Sequence, residues 1–199
     1  MRVLRSGAPQ LLAFAAVLLA DRLASPQFLA VHLQDGRLFG SLVDVFNRGA
    51  PVALLSLGMV LVVATGGIDL SVGAVMAIAG AVAASLADSY PLPVVLAAAL
   101  GTGLACGLWN GFLVASLRIQ PIVATLILMV AGRGIAQLFA EGRIVTFTSP
   151  DLAFLGGGAL LGVPMPVVLV LVMLFLPLAL VRGSALGLMV GATGGDARG

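Results

Sequence analysis

One carboxylate interrupts a long apolar part of this sequence and is the first candidate for chemistry. Asp69 follows a glycine pair and separates the uncharged runs 49–68 and 70–87. A carboxylate directly before an apolar helix can accept N–H groups of the first turn, which predicts an N-cap role for Asp69. The alternative is that Asp69 marks a broken helix that lines a path for polar solutes, because interrupted helices at membrane depth occur around protein or water-filled cavities.

Arg133 is the second such residue, a permanent cation between Gly132 and Gly134 in the apolar run 120–140. Such a group must face a partner or water. Two interpretations stay open: an ion pair with a carboxylate such as Asp69, or contact with a lipid headgroup or a backbone carbonyl. The amides of Asn110 and Gln120 are predicted to form hydrogen bonds between helices.

The residue types that are missing exclude several kinds of chemistry. All ten cationic residues are arginines, so no lysine completes a phosphate-binding GxxxxGK[ST] loop or forms a Schiff base. The single Cys106 and the single His32 allow no disulfide pair and no Cys/His metal cluster. No GxSxG turn surrounds a serine, and only one carboxylate is a candidate for an intramembrane aspartyl site. We therefore expect no enzyme activity, no metal and no cofactor.

The composition predicts that the surroundings of this chain are a lipid bilayer. Of its 199 residues 61% are hydrophobic and 9% are charged, and the mean hydropathy is +1.20. A soluble domain has roughly a quarter charged residues. The arginines are scattered singly and form no basic stripe, so a nucleic-acid partner is not expected.

The uncharged runs predict an all-α, polytopic bundle of transmembrane helices in a single domain, 1–199, with a broken helix near residues 65–71. The charged stretch 21–48 is expected outside the membrane. Three glycines at 156–158 make the start of the last apolar run a poor helix, so its span should begin near Pro164. The predicted spans are 6–24, 46–66, 70–88, 92–117, 120–140 and 163–181.

Small residues predict where helices pack closely, and arginines predict how the chain is oriented in the membrane. Gly103, Gly107 and Gly111 recur at four-residue steps, which places them on one helix face and predicts close approach of another helix there. The same is expected of the alternating small residues Gly73, Ala77, Gly80 and Ala84. The placement of arginines near span ends favours an N-terminus inside and six crossings with both ends in the cytoplasm.

The order of motifs resembles a known family. Thr65-Gly66-Gly67-Ile68-Asp69-Leu70-Ser71-Val72-Gly73 is similar to the TGGIDLSVG signature of inner-membrane permease subunits of bacterial ABC sugar importers of the ribose, xylose and galactofuranose type. Asn110-Gly111, the run 117–126 and Gly132-Arg133-Gly134 follow in the family's order. Together these features give the following candidates for the translocation path or the broken helix: Thr65, Gly66, Gly67, Asp69, Ser71, Asn110, Thr125 and Arg133.

This resemblance implies a multi-pass protein of the bacterial inner membrane that moves a pentose or hexose into the cytoplasm. It also implies an ATP-binding cassette subunit on the cytoplasmic face, a periplasmic sugar-binding protein and a second permease subunit in a homo- or heterodimer. ATP hydrolysis is then expected on the separate subunit. The end of the chain looks like the loop that docks on the ATPase, with Gly194, Gly195, Asp196, Ala197 and Arg198.

Family members continue beyond this loop into further spans, so the sequence is expected to lack the C-terminal part of the permease domain. Other functions stay open: a permease for a branched-chain amino acid or another small polar solute, a secondary transporter or channel, or a truncated remnant that transports nothing.

Overall fold

The computed structural model describes the backbone of residues 2–34 and 36–183 and the side chains of residues 8–34 and 36–175. Within these residues the chain is an all-α bundle, as predicted, with two small antiparallel hairpins added. The elements are α1 (Arg2–Ala24), β1 (His32–Gln34), β2 (Arg37–Phe39), α2 (Ser41–Ala64), α3 (Val72–Leu86), α4 (Leu92–Ala115), α5 (Pro121–Phe139), α6 (Pro150–Gly157), β3 (Ala159–Leu160), β4 (Val163–Pro164) and α7 (Met165–Gly183).

The predicted helix break is confirmed between α2 and α3. Helix α2 ends at Ala64, and residues 65–71 are irregular up to the start of α3 at Val72. Gly66 lies in the left-handed region with φ of 75°, which lets the chain turn away from the helix axis. The Gly67 N–H donates to the Val62 carbonyl over 3.1 Å and closes the last turn of α2.

Helix α3 packs between α4 and α5. Its buried side chains Ala74, Ile78 and Val82 recur every four residues and form one face. The closest approach is at Gly132 of α5, where an added Cβ would lie 2.7 Å from the Ala74 Cβ. The motif glycine at 132 therefore serves helix packing.

The glycine face of α4 makes less contact than its spacing predicts. A Cβ at Gly103 would lie 3.9 Å from Val75 of α3, whereas one at Gly107 or Gly111 would meet nothing within 4 Å among the described residues. Helix α3 lies instead on the side of α4 that buries Asn110 and Leu113. A Cβ added at Gly73 or Gly80 of α3 would likewise meet nothing within 4 Å in the described part of the chain.

Helices α2 and α7 pack together in a second group, which includes the two hairpins and α6. The hairpins are joined by a hydrogen bond in which the Leu38 N–H donates to the Gly162 carbonyl over 2.9 Å. A short helix, α6, covers part of the region predicted to be a poor helix, but it ends at Gly157, and α7 begins at Met165, next to the start predicted near Pro164. Pro150 at the first turn of α6 needs no N–H partner, and this favours a helix start there.

Three helices of the described residues are long and apolar enough to cross a membrane, Ser41–Ala64, Leu92–Ala115 and Pro121–Phe139. Their outer faces are apolar, as shown on α4 by the exposed side chains of Leu100, Leu104 and Leu108. A shorter apolar helix, α3, has 15 residues and a length of about 22 Å. A helix lies in each of the six predicted span ranges. The number of membrane crossings stays a prediction.

Candidate functional site

Asp69 organises the irregular segment that precedes α3. One of its carboxylate oxygens, Oδ1, accepts the Ser71 N–H over 2.7 Å and the Ser71 hydroxyl over 2.6 Å. Ser71 is the N-cap residue of α3 and makes no side-chain cap bond. The prediction of Asp69 as the N-cap was therefore wrong in position: the carboxylate holds the N-cap residue itself, as in an Asx turn, and α3 begins two residues later than predicted.

Asn110 links this segment to α4. Its Nδ2 donates to the Ser71 hydroxyl oxygen over 2.9 Å, so a chain of hydrogen bonds runs from Asn110 through Ser71 to Asp69. Ser71 is fully buried and Asn110 is 9% exposed. The amide oxygen of Asn110 is buried without a hydrogen-bond donor in the part of the chain that the structure describes. Such an acceptor is costly unless something donates to it.

Thr125 links the same segment to α5. Its buried hydroxyl oxygen accepts the Leu70 N–H over 3.1 Å, and its own proton goes to the Pro121 carbonyl over 2.9 Å. Leu70 lies outside any helix, so its N–H needs an acceptor from another part of the chain. We call Asp69, Ser71, Asn110 and Thr125 the break cluster.

An open groove of about 370 Å³ lies against the break cluster. It is lined by Asp69, Asn110 and Thr125 together with Thr65, Gly66, Gly67 and Gly111 and with apolar side chains of the neighbouring helices. Asn110 lies five residues before the end of α4, which places this groove about 8 Å inside the helix end. We call it the break groove. Seven of the eight residues predicted for the path or the broken helix thus lie together.

The eighth, Arg133, does not join them. Its side chain is exposed, and the ion pairs of the described residues consist of Arg143 with Glu141 alone. The interpretation of Arg133 as the partner of Asp69 was therefore wrong. Arg133 is eight residues beyond Thr125, or about 12 Å along α5, and it points away from the face by which Gly132 packs on α3.

Two further features bear on the sequence predictions. The residues predicted to dock on the ATPase, 194–198, lie outside the described residues. Asn47 of α2, for which the sequence offered no prediction, buries its amide oxygen without a hydrogen-bond donor among residues 8–34 and 36–175. An asparagine at the polar end of an apolar helix gives no signal that separates it from a solvated residue.

A helical bundle with apolar outer faces and a polar cluster at a helix break is typical of membrane transport proteins. The family model described as "Branched-chain amino acid transport system / permease component" matches residues 41–199. The chain belongs to this family of membrane permeases.

Curated relatives carry names of sugar permeases. The chain is 60% identical to the galactofuranose transporter permease protein YtfT of Escherichia coli K12, over 95% of this chain and 56% of the relative. It is 36% identical to the fructose import permease protein FruF of Bifidobacterium longum NCC 2705, over 92% of this chain and 54% of the relative. It is 35% identical to the ribose import permease protein RbsC of Escherichia coli K12, over 86% of this chain and 53% of the relative.

The chain thus spans about half the length of the curated relatives it matches. No solved structure matches it significantly.

Proposed function

We propose that this chain forms part of the permease subunit of an ATP-driven importer that moves a monosaccharide, a pentose or hexose, into the cytoplasm. The observation that carries the proposal is the break groove, where polar side chains and irregular backbone lie at an interruption of apolar helices. The names of the relatives, which concern galactofuranose, fructose and ribose, support a sugar as the solute.

The groove offers few polar contacts, and these suit a solute that must leave again. One oxygen of Asp69 is occupied by Ser71, and the second can accept a sugar hydroxyl. Asn110 also lines the groove, and its amide oxygen lacks a hydrogen-bond donor among the described residues. An amide and a carboxylate bind hydroxyls without covalent chemistry, which is what a transport path requires.

Energy would come from an ATP-binding cassette subunit on the cytoplasmic face, with 194–198 as its docking residues. ATP hydrolysis on a separate subunit fits a chain in which no lysine can complete a phosphate-binding loop. A periplasmic sugar-binding protein and a second permease subunit would complete the importer in the bacterial inner membrane. We also propose that 1–199 forms a single transmembrane domain with six spans.

Topology can be tested by cysteine labelling in a Cys106→Ala background. Ser149 lies in the loop before α6, and Ser116 lies at the opposite end of the bundle, directly after α4. With the N-terminus inside, Ser149→Cys should react with an impermeant maleimide added outside intact cells, and Ser116→Cys should react only after permeabilisation. The reverse pattern would contradict the proposed orientation.

The transported solute can be tested by uptake in cells with and without this gene. Uptake of labelled D-galactose, D-ribose or D-fructose should depend on the gene and on cellular ATP. Asn110→Leu should lower this uptake at least about tenfold, because the groove loses polar contacts with the solute. Uptake is compared at equal membrane abundance of the two proteins, as measured by immunoblot.

Three outcomes would contradict the proposed function. Gene-dependent uptake of L-leucine without uptake of the sugars would favour the branched-chain amino acid alternative. Uptake driven by an ion gradient would favour a secondary transporter. Sugar uptake that survives deletion of the gene would indicate a chain that does not transport.

A further inference from the structure

A second polar cavity lies at the end of the bundle where α2 and α7 begin. It has a volume of about 110 Å³ and lies between the two hairpins and the first turns of α2. We call it the hairpin pocket. Helix α2 runs from this pocket to the helix break, and Asn47 at the pocket lies 15 residues before Val62 at the break groove, so about 22 Å of helix separate the two.

The walls of the hairpin pocket are fixed by backbone contacts. The Leu38 N–H donates to the Gly162 carbonyl, and the Met165 N–H donates to the Gly158 carbonyl, each over 2.9 Å. Gly158 and Gly162 are buried, and both line the pocket. A Cβ at Gly162 would lie 3.2 Å from the Gly36 carbonyl oxygen, at a φ of 87° that disfavours other residues. Glycine at this position lets the two hairpins meet and keeps one wall free of side chains.

The pocket brings three polar side chains of different chemistry together. Arg37 from β2 and Asp44 and Asn47 from α2 all line it. The amide oxygen of Asn47 is buried without a hydrogen-bond donor among the described residues, whereas Arg37 and Asp44 are exposed and make no ion pair with another described residue. A buried acceptor without a donor costs free energy, which is recovered when a ligand or a water donates to it.

These groups select the class of ligand. Arg37 only donates, the carboxylate of Asp44 only accepts, and the amide of Asn47 does both. A hydroxyl group can satisfy each of them, whereas the negative charge of Asp44 disfavours an anion. Apolar side chains, among them Leu38 and Val43, line the rest of the pocket. The volume of about 110 Å³ is smaller than the ~150 Å³ of a cavity that holds benzene, and the pocket is open on one side, so it takes one edge of a small solute with its hydroxyl groups.

We propose that the hairpin pocket binds a neutral monosaccharide through its hydroxyl groups, as a second solute site separate from the break groove. The ligand class rests on the proposed function. The pocket itself rests on the three side chains and the cavity, so its occupancy can be measured without transport.

The test uses protection of a cysteine by sugar in the purified full chain, in lipid nanodiscs and with Cys106→Ala. Ala159 lines the hairpin pocket, and Ser149 lies outside it and provides the matched control. D-galactose, D-ribose and D-fructose are the probes. At least one of them should slow maleimide labelling of Ala159→Cys without slowing that of Ser149→Cys.

A second set of variants assigns the protection to the polar groups. Asn47→Leu, which keeps the volume and removes the amide, should raise the sugar concentration for half-protection about tenfold. Asp44→Asn should also raise the sugar concentration for half-protection. This variant replaces Asn47→Leu in the test if circular dichroism shows that Asn47→Leu does not fold. Asn110→Leu, in the break groove, should leave the protection unchanged.

The hairpin pocket proposal is overturned if sugar protects neither Ala159→Cys nor Ser149→Cys, or protects both equally. It is also overturned if inorganic phosphate protects Ala159→Cys and sugar does not, or if Asn47→Leu and Asp44→Asn leave the protection intact. Loss of sugar uptake in Asn110→Leu together with absent protection would overturn the pocket alone. Protection in a chain that moves no sugar would support the pocket and overturn the proposed function.

Discussion

Gly132→Ala should lower the thermal stability of the protein although alanine is the better helix former. A Cβ at this position would lie 2.7 Å from the Ala74 Cβ and 3.3 Å from the Ile78 Cδ1, so α5 must move away from α3. Overpacking of this kind costs about 1–3 kcal/mol. The shift would also strain the hydrogen bond between Thr125 of α5 and Leu70, which lies in the segment that leads into α3. The measurement is the unfolding midpoint in detergent, with membrane abundance as a second readout.

Gly134→Ala is the matched control, because it flanks Arg133 on the other side and its Cβ would meet nothing within 4 Å among the described residues. Helix propensity alone favours alanine over glycine by about 1 kcal/mol, so Gly134→Ala should keep or raise the midpoint. Ala74→Gly combined with Gly132→Ala exchanges one Cβ for another across the contact and should restore most of the loss. Equal midpoints for the two single variants would contradict the packing at Gly132.

The apolar runs predicted where the helices lie because burial in lipid requires uncharged stretches of helix length. The helix break was predicted by the glycine pair before Asp69, and the structure confirms it. Helix ends were predicted within a few residues, as for α4, expected at 92–117 and found at Leu92–Ala115. These properties are local, so a sequence pattern can carry them.

Contacts between helices could not be predicted in the same way. The glycine spacing on α4 defines a face but does not say which helix covers it, and among the described residues α3 meets that face only at Gly103. Asp69 precedes α3 and Arg133 lies on its neighbour α5, yet Arg133 is about 12 Å along α5 from the level of Thr125 and does not reach Asp69. Asn110 and Ser71 are hydrogen-bonded although they are 39 positions apart, and Ser71 in turn bonds to Asp69, two positions before it. The contact between Asn110 and Ser71 depends on how α3 and α4 cross.

Asp69→Leu should greatly reduce the amount of folded protein in the membrane, whereas Asp69→Asn should keep both folding and most transport. Leucine leaves the Ser71 N–H and the Ser71 hydroxyl without their acceptor at a fully buried residue. An unsatisfied buried donor costs about 1–3 kcal/mol, and here two donors lose the same partner. Asparagine retains an oxygen that accepts both bonds. Membrane abundance, the unfolding midpoint and uptake are measured for each variant.

Ser71→Ala separates the two bonds, because it removes the hydroxyl and keeps the N–H that Asp69 accepts. In a double-mutant cycle, Asp69→Leu should cost less in the Ser71→Ala background than alone, since one of the two unsatisfied donors is then absent. Purely additive losses would contradict the hydrogen-bond role of Asp69. An Asp69→Asn variant that unfolds and is rescued by Arg133→Gln would instead support an ion pair, which the exposed position of Arg133 argues against. A folded Asp69→Asn variant that transports nothing and is not rescued would show that transport requires the second carboxylate oxygen as an acceptor, because asparagine keeps one oxygen for Ser71 and places a donor at the other position.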